Sequence, residues 1–218
     1  MPTDQPGDPD RAATESGRTF LLSTAFFVAG RAVAATAREK RVVAARITSQ
    51  PFSDGAATTS PGAEPLHGVD ASVWFAEPIH VEPMALMDAY PLVVYAGSWA
   101  QSRIQMQDCR SRGHRECRGD GAEEDGAAPA AEDDESCRSQ CLEALLDESE
   151  EWSALLTGLP PGDAAENSLR ETLMPRWDRE LDLLWPAIAA VADLLLHTGE
   201  VDGNTVHQLV WPSQGDQP

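Results

Sequence analysis

Positive charge is scarce in this 218-residue chain: 16 Lys and Arg stand against 36 Asp and Glu, a formal net charge of −20. Such a surface repels a nucleic acid rather than gathering it, and it disfavours anionic membranes in the same way. Long uninterrupted apolar runs are lacking too. The best candidate, FLLSTAFFVAGRAVAATA (20–37), carries Arg31 near its middle, a costly charge in hydrocarbon, so no membrane span is expected. A secretory leader would need a basic start, but the residues ahead of that run include Asp4, Asp8, Asp10 and Glu15. The small residues ATA before Arg38 resemble a cleavage site, yet the acidic lead-in points to a cytoplasmic protein. No internal repeat is visible. Cysteine is absent outside one stretch, Cys109 to Cys141.

What is present is enough for a core. Hydrophobic residues make up 42% of the chain, which allows one large domain with tails. The acidity is uneven: residues 119–151 hold 13 Asp and Glu against Arg138 alone, a net of −12, which leaves −8 for the remainder. Residues 1–17, rich in Pro, Gly and Asp, read as a disordered tail. A helical domain is expected over 18–212, with a Cys-rich acidic insert at about 108–138 and a tail at 213–218.

Within that domain, Thr19 to Lys40 reads as a helix apolar on nearly every face in its first half. RVVAARITSQ (41–50) reads as a strand and 51–68 as a loop. One or two short strands are expected over 70–83, with Pro78 favouring an edge. A second helix should start near Met84 or at Pro91 and run to about Gln107, and a third should cover Gln140 to Leu156. Leu169, Leu173, Trp177, Leu181, Leu184, Ile188, Val191 and Leu195 recur every three or four residues, a helical stripe with kinks possible only at Pro175 and Pro186. Gly199 suits a helix stop, and a last short helix should follow within GEVDGNTVHQLV. The fold class is therefore mainly α with a small β element.

This order of elements, with TAFFVAGRAV (24–33) in the first helix, resembles the peptidase domain of FtsH-type zinc metalloproteases, especially the small stand-alone forms. The family's first helix carries T-A-[FY]-H-E-A-G-H-A-V; here Thr24, Ala25, Phe26, Ala29, Gly30, Ala32 and Val33 keep the frame. VVAARIT resembles the following strand, YAGSWAQ (95–101) the later L-A-G-R-A-A-E segment, and AENSL (165–169) the A-x-N-D-L segment. LWPAIAAVADLLLHTGEVDGNTVHQLV is similar to the closing helices of the stand-alone members. The resemblance covers about 19–110 and 160–210 and leaves the insert unmatched. It implies an FtsH peptidase-like helical domain.

The chemistry of that family does not carry over. HExxH works because histidines at i and i+4 share one helix face and grip one zinc, while the Glu activates the bound water. The positions that the resemblance assigns to His, Glu, His and the downstream Asp are Phe27, Val28, Arg31 and Ser168. Phe and Val offer no lone pair, Arg is a permanent cation and a neutral Ser hydroxyl is a poor ligand. His67, His80, His114, His197 and His207 do not form the pattern elsewhere. No catalytic residue is expected. A guanidinium on an apolar helix must reach water or a carboxylate, so Arg31 is expected either to snorkel or to pair with Glu166 or Asp163.

Cys109, Cys117, Cys137 and Cys141, with His114 inside the first interval, could bind a structural zinc, form nested disulfides or remain thiols. Neither pair has the C-x2-C spacing of a zinc knuckle. No other cofactor is expected. Three functional readings stand at this point: a catalytically inactive peptidase-like protein acting by binding or regulation, a working zinc peptidase with unconventional ligands, and a helical interaction protein unrelated to peptidases. For the first, the acidic insert would offer a basic protein partner an electrostatic handle.

Overall fold

The first helix is the axis of the protein. In the computed structural model, which describes residues 9–51, 67–76, 89–111, 131–159 and 163–212, helix α1 runs from Pro9 to Ala37. It therefore begins inside the segment expected as a disordered tail; residues 1–8 lie outside the described ones. Ala25, Val28, Ala29, Ala32, Val33, Ala34 and Ala35 are all buried, so the helix is covered on several sides, as its apolar composition requires. It ends in a tight reversal in which Lys40 N–H donates to the Ala35 carbonyl and Glu39 N–H to that of Thr36. Glu39 adopts φ 58°, a left-handed position where glycine is usual.

Strand β1 (Val42–Pro51) follows and pairs antiparallel with β2 (His67–Phe75). The register slips between Val42 and Ala44, pushing Val43 outward as a bulge. A third strand, β3 (Glu200–Asp202), returns from the far end of the chain to the other edge of β1, giving the order β2-β1-β3. Ala45, Ile47 and Val201 point inward, and α1 packs against both β1 and β2. Pro78 and the rest of the expected second strand segment lie outside the described residues.

Helix α2 (Ala89–Ser111) packs along α1. The expected third helix is two: α3 (Ala131–Asp147) and α4 (Glu150–Thr157). Ser149 separates them because its side chain accepts from Trp152 N–H, capping the new helix at 3.2 Å. Helix α3 starts within the low-complexity acidic stretch, whose residues 112–130 lie outside the described ones. The C-terminal stripe forms α5 (Asp163–Ser168), a π-helical turn (Leu169–Leu173) and α6 (Met174–Thr198). Leu169, Trp177, Leu181, Ile188, Val191 and Leu195 are buried as the spacing predicts. Gly199, at φ 76°, ends α6, and α7 (Gly203–Val210) closes the chain. At Gly203 a Cβ would lie 1.8 Å from the Val42 carbonyl oxygen, so only glycine lets α7 start this close to β1.

The expectation of no membrane-spanning segment is overturned. Two helical stretches, Gly17–Ala37 and Ala164–Thr198, are long and apolar enough to cross a membrane by length and composition. Its two charges, Arg18 and Arg31, do not disqualify the first stretch, and the second runs on through Pro175 and Pro186. A core helix has the same composition: 61% of the first apolar window is buried inside the protein, against 33% of the second.

Candidate functional site

The α1 positions matched to the zinc motif lie at the crossing with α2, where two glycines bring the backbones together. A Cβ on Gly30 would stand 2.4 Å from the Ala96 carbonyl oxygen, and one on Gly97 would stand 2.7 Å from the Phe27 ring. Small residues on both helices make this approach possible, which is the role their pattern suggests in the sequence. The Phe27 ring and the Arg31 stem thus occupy the space over Gly97, while Val28 is buried in the core.

Arg31 neither snorkels freely nor meets its expected partners. Its guanidinium grips Glu151 of α4 with both prongs, Nη1 to Oε2 at 2.6 Å and Nη2 to Oε1 at 2.9 Å, and lies 5.5 Å from the centre of the Phe27 ring. Its Nε is buried without a hydrogen bond, and the side chain is only 17% exposed. Glu151 sits in the first turn of α4, where the helix dipole also favours a carboxylate. Trp152 beside it is buried and meets Tyr95 of α2 at 6.0 Å between ring centres, which fixes the start of α4 over α2. Burial, and then the Glu151 charge, raise the Tyr90 phenol above its ordinary range, with Arg31 opposing.

Glu166, one proposed partner, instead bonds Arg170 one turn along, at 3.0 Å. The Asp163 side chain lies outside the described ones. Ser168 is exposed at the end of α5. The residues present do not fit a zinc centre of the implied type: one ligand position holds a ring packed on backbone, and another holds a cation that is itself satisfied by a carboxylate.

A second polar cluster, between α2, α3 and α6, was not anticipated. The fully buried Tyr95 donates its hydroxyl proton to Asp178 Oδ1 at 2.6 Å. Burial raises the Asp178 carboxyl, against the opposing pull of the Tyr95 hydrogen bond and the Arg138 charge. Burial and the neighbouring Asp178 push the Tyr95 phenol far up. Arg138 of α3 lies 4.9 Å from the centre of the Trp99 ring, and Arg103 lies 4.4 Å from that of Trp185 while pairing with Asp182. The i, i+4 series Tyr95, Trp99, Arg103 on α2 and Asp178, Asp182 on α6 was the available signal. This network ties three helices together through a buried hydrogen bond and stacked guanidinium groups.

The cysteines are only partly visible. Cys137 and Cys141 are half-buried thiols one turn apart on α3, and Cys141 Sγ donates to Gln105 Oε1 at 3.0 Å. His114, Cys117 and the side chain of Cys109 lie outside the described residues, so of the expected four-cysteine set only Cys137 and Cys141 are described. His67 lies in β2, though its side chain, like all of His80, falls outside the described part. His197 and His207 are exposed on α6 and α7, the former with Nδ1 2.7 Å from the Asp193 carbonyl oxygen. No protein-family model matches the sequence, and no curated protein matches it.

Proposed function

We propose that the chain is a peptidase-like scaffold of the FtsH type whose zinc centre has been replaced by a structural ion pair, and that it acts by binding or regulation rather than by hydrolysis. The observation that carries this reading is the Arg31–Glu151 pair. It fills the α1 face that would otherwise offer ligands, and it does so on a helix whose small-residue frame is intact. Support is physical: a guanidinium repels a divalent cation, and a ring seated on Gly97 has no lone pair to offer. A cytoplasmic location belongs to the same proposal.

Restoring the motif tests it. The variant Phe27→His, Val28→Glu, Arg31→His, Ser168→Asp should take up one equivalent of zinc or cobalt beyond the wild-type content, measured by metal analysis and the cobalt absorption bands. Absence of any gain in a folded variant would show that this helix is not a zinc-helix frame. The chain would then be an unrelated helical interaction protein.

A further inference from the structure

Helix α6 is unevenly covered. Its inner face carries the core stripe, but Leu183 is 84% exposed, the most exposed of the large hydrophobic residues among the described ones. Pro186 is exposed beyond it and Ala190 is half-covered, while Leu194 packs against the core. At 100° per residue Leu183, Pro186 and Ala190 fall within about 60° of one another, so they form one outward apolar strip. Charges bracket the strip. Arg176 and Arg179 lie toward its N-terminal end and Asp193 toward its C-terminal end, all exposed on the same side. Among the described residues the Arg179 guanidinium meets the Pro175 carbonyl at 3.1 Å and no carboxylate.

The spacing is symmetric. Arg179 and Asp193 stand seven positions either side of Pro186, and Leu183 and Ala189 stand three either side. Along one helix Arg179 and Asp193 are separated by roughly 21 Å, too far to pair within a chain. We propose that this face binds a second copy of the chain, the two α6 helices packing antiparallel about a two-fold axis at Pro186. In that arrangement Arg179 of each copy meets Asp193 of the other, beside the exposed 3.4 Å contact that Asp193 makes with its own His197. Leu183 of each copy settles beside the small Ala190 of the other. The contact is self-complementary, as a two-fold interface must be. A lipid surface fits less well, because Arg176, Arg179 and Asp193 would have to enter or skirt hydrocarbon. The inference does not depend on the peptidase-like reading.

Sedimentation equilibrium of the full chain tests it. The wild type should show a monomer–dimer equilibrium, and Leu183→Asp should remain monomeric over the same concentrations with an unchanged helical spectrum. Arg179→Glu and Asp193→Arg should each weaken association by about tenfold or more, and the double variant should recover most of that loss. This recovery keeps the test decisive even if Leu183→Asp fails to fold. A wild type that stays monomeric at about 100 μM overturns the proposal, as does a dimer indifferent to all three substitutions. Binding to phosphatidylcholine vesicles that depends on Leu183, by a chain that stays monomeric, overturns it in favour of lipid.

Discussion

Arg31 and Glu151, 120 positions apart in sequence, meet through two hydrogen bonds at the point where α4 reaches α1. The pair does for this helix what a metal would do in a zinc protease: it satisfies a polar group on an otherwise apolar face. It also pins α4 to the body of the protein. Because Arg31 is largely buried and Glu151 only partly so, removing the acid strands a cation, whereas removing both ends does not.

A double-mutant cycle should therefore show strong coupling. Glu151→Ala is expected to cost about 2 kcal/mol, and Arg31→Leu/Glu151→Ala together less than the sum of the singles. Denaturant unfolding of the four proteins measures this directly.

The helix crossing should be intolerant of added carbon. Gly30→Ala drives a methyl into the Ala96 carbonyl, which cannot move without shifting α2, and should cost about 2–3 kcal/mol. Gly97→Ala meets the side chains of Phe27 and Arg31, which can yield, and should cost less. Thermal unfolding of both variants gives the order.

Two aspartates should give opposite pH signatures. The Asp178 carboxyl is raised chiefly by burial, so the folded state binds its proton more readily than the unfolded chain does. Stability from this group therefore grows as pH falls from the raised folded value toward the ordinary carboxylate value, and is lost as pH climbs back. Asp202 is held below its ordinary value, first by the Thr205 hydroxyl and then by backbone N–H groups at the start of α7. Its contribution is present above the ordinary value and is lost as pH falls through the depressed one. Stability profiles of Asp178→Asn and Asp202→Asn, each subtracted from wild type, should slope in opposite directions.

Much of this was legible in the chain. The three-and-four spacing from Leu169 to Leu195 placed the buried face of α6, and the β-branched run after Arg41 placed β1, because both periods are written locally. The need of Arg31 for a carboxylate was legible as well. Its identity was not: Glu166 lies two residues from Ser168, but a local Arg170 holds it, and the Ser149 cap turns α4 so that Glu151 arrives instead. β3 escaped notice because three residues carry no period and pair only once the chain has returned to β1. The Tyr95–Asp178 bond was not legible because it joins two helices 83 positions apart, and no local period marks the pair. That Gly17–Ala37 and Ala164–Thr198 are long and apolar enough to cross a membrane by length and composition is legible only over the whole helix, and Arg31 alone does not decide it.

The most direct measurement is hydrolysis of an unfolded protein substrate by the purified chain, with and without 1,10-phenanthroline. The account predicts no cleavage above the buffer rate in either condition, and no change when Arg31 is replaced by Ala. Cleavage that the chelator abolishes, and that co-purifies with the chain at constant specific activity, would contradict it.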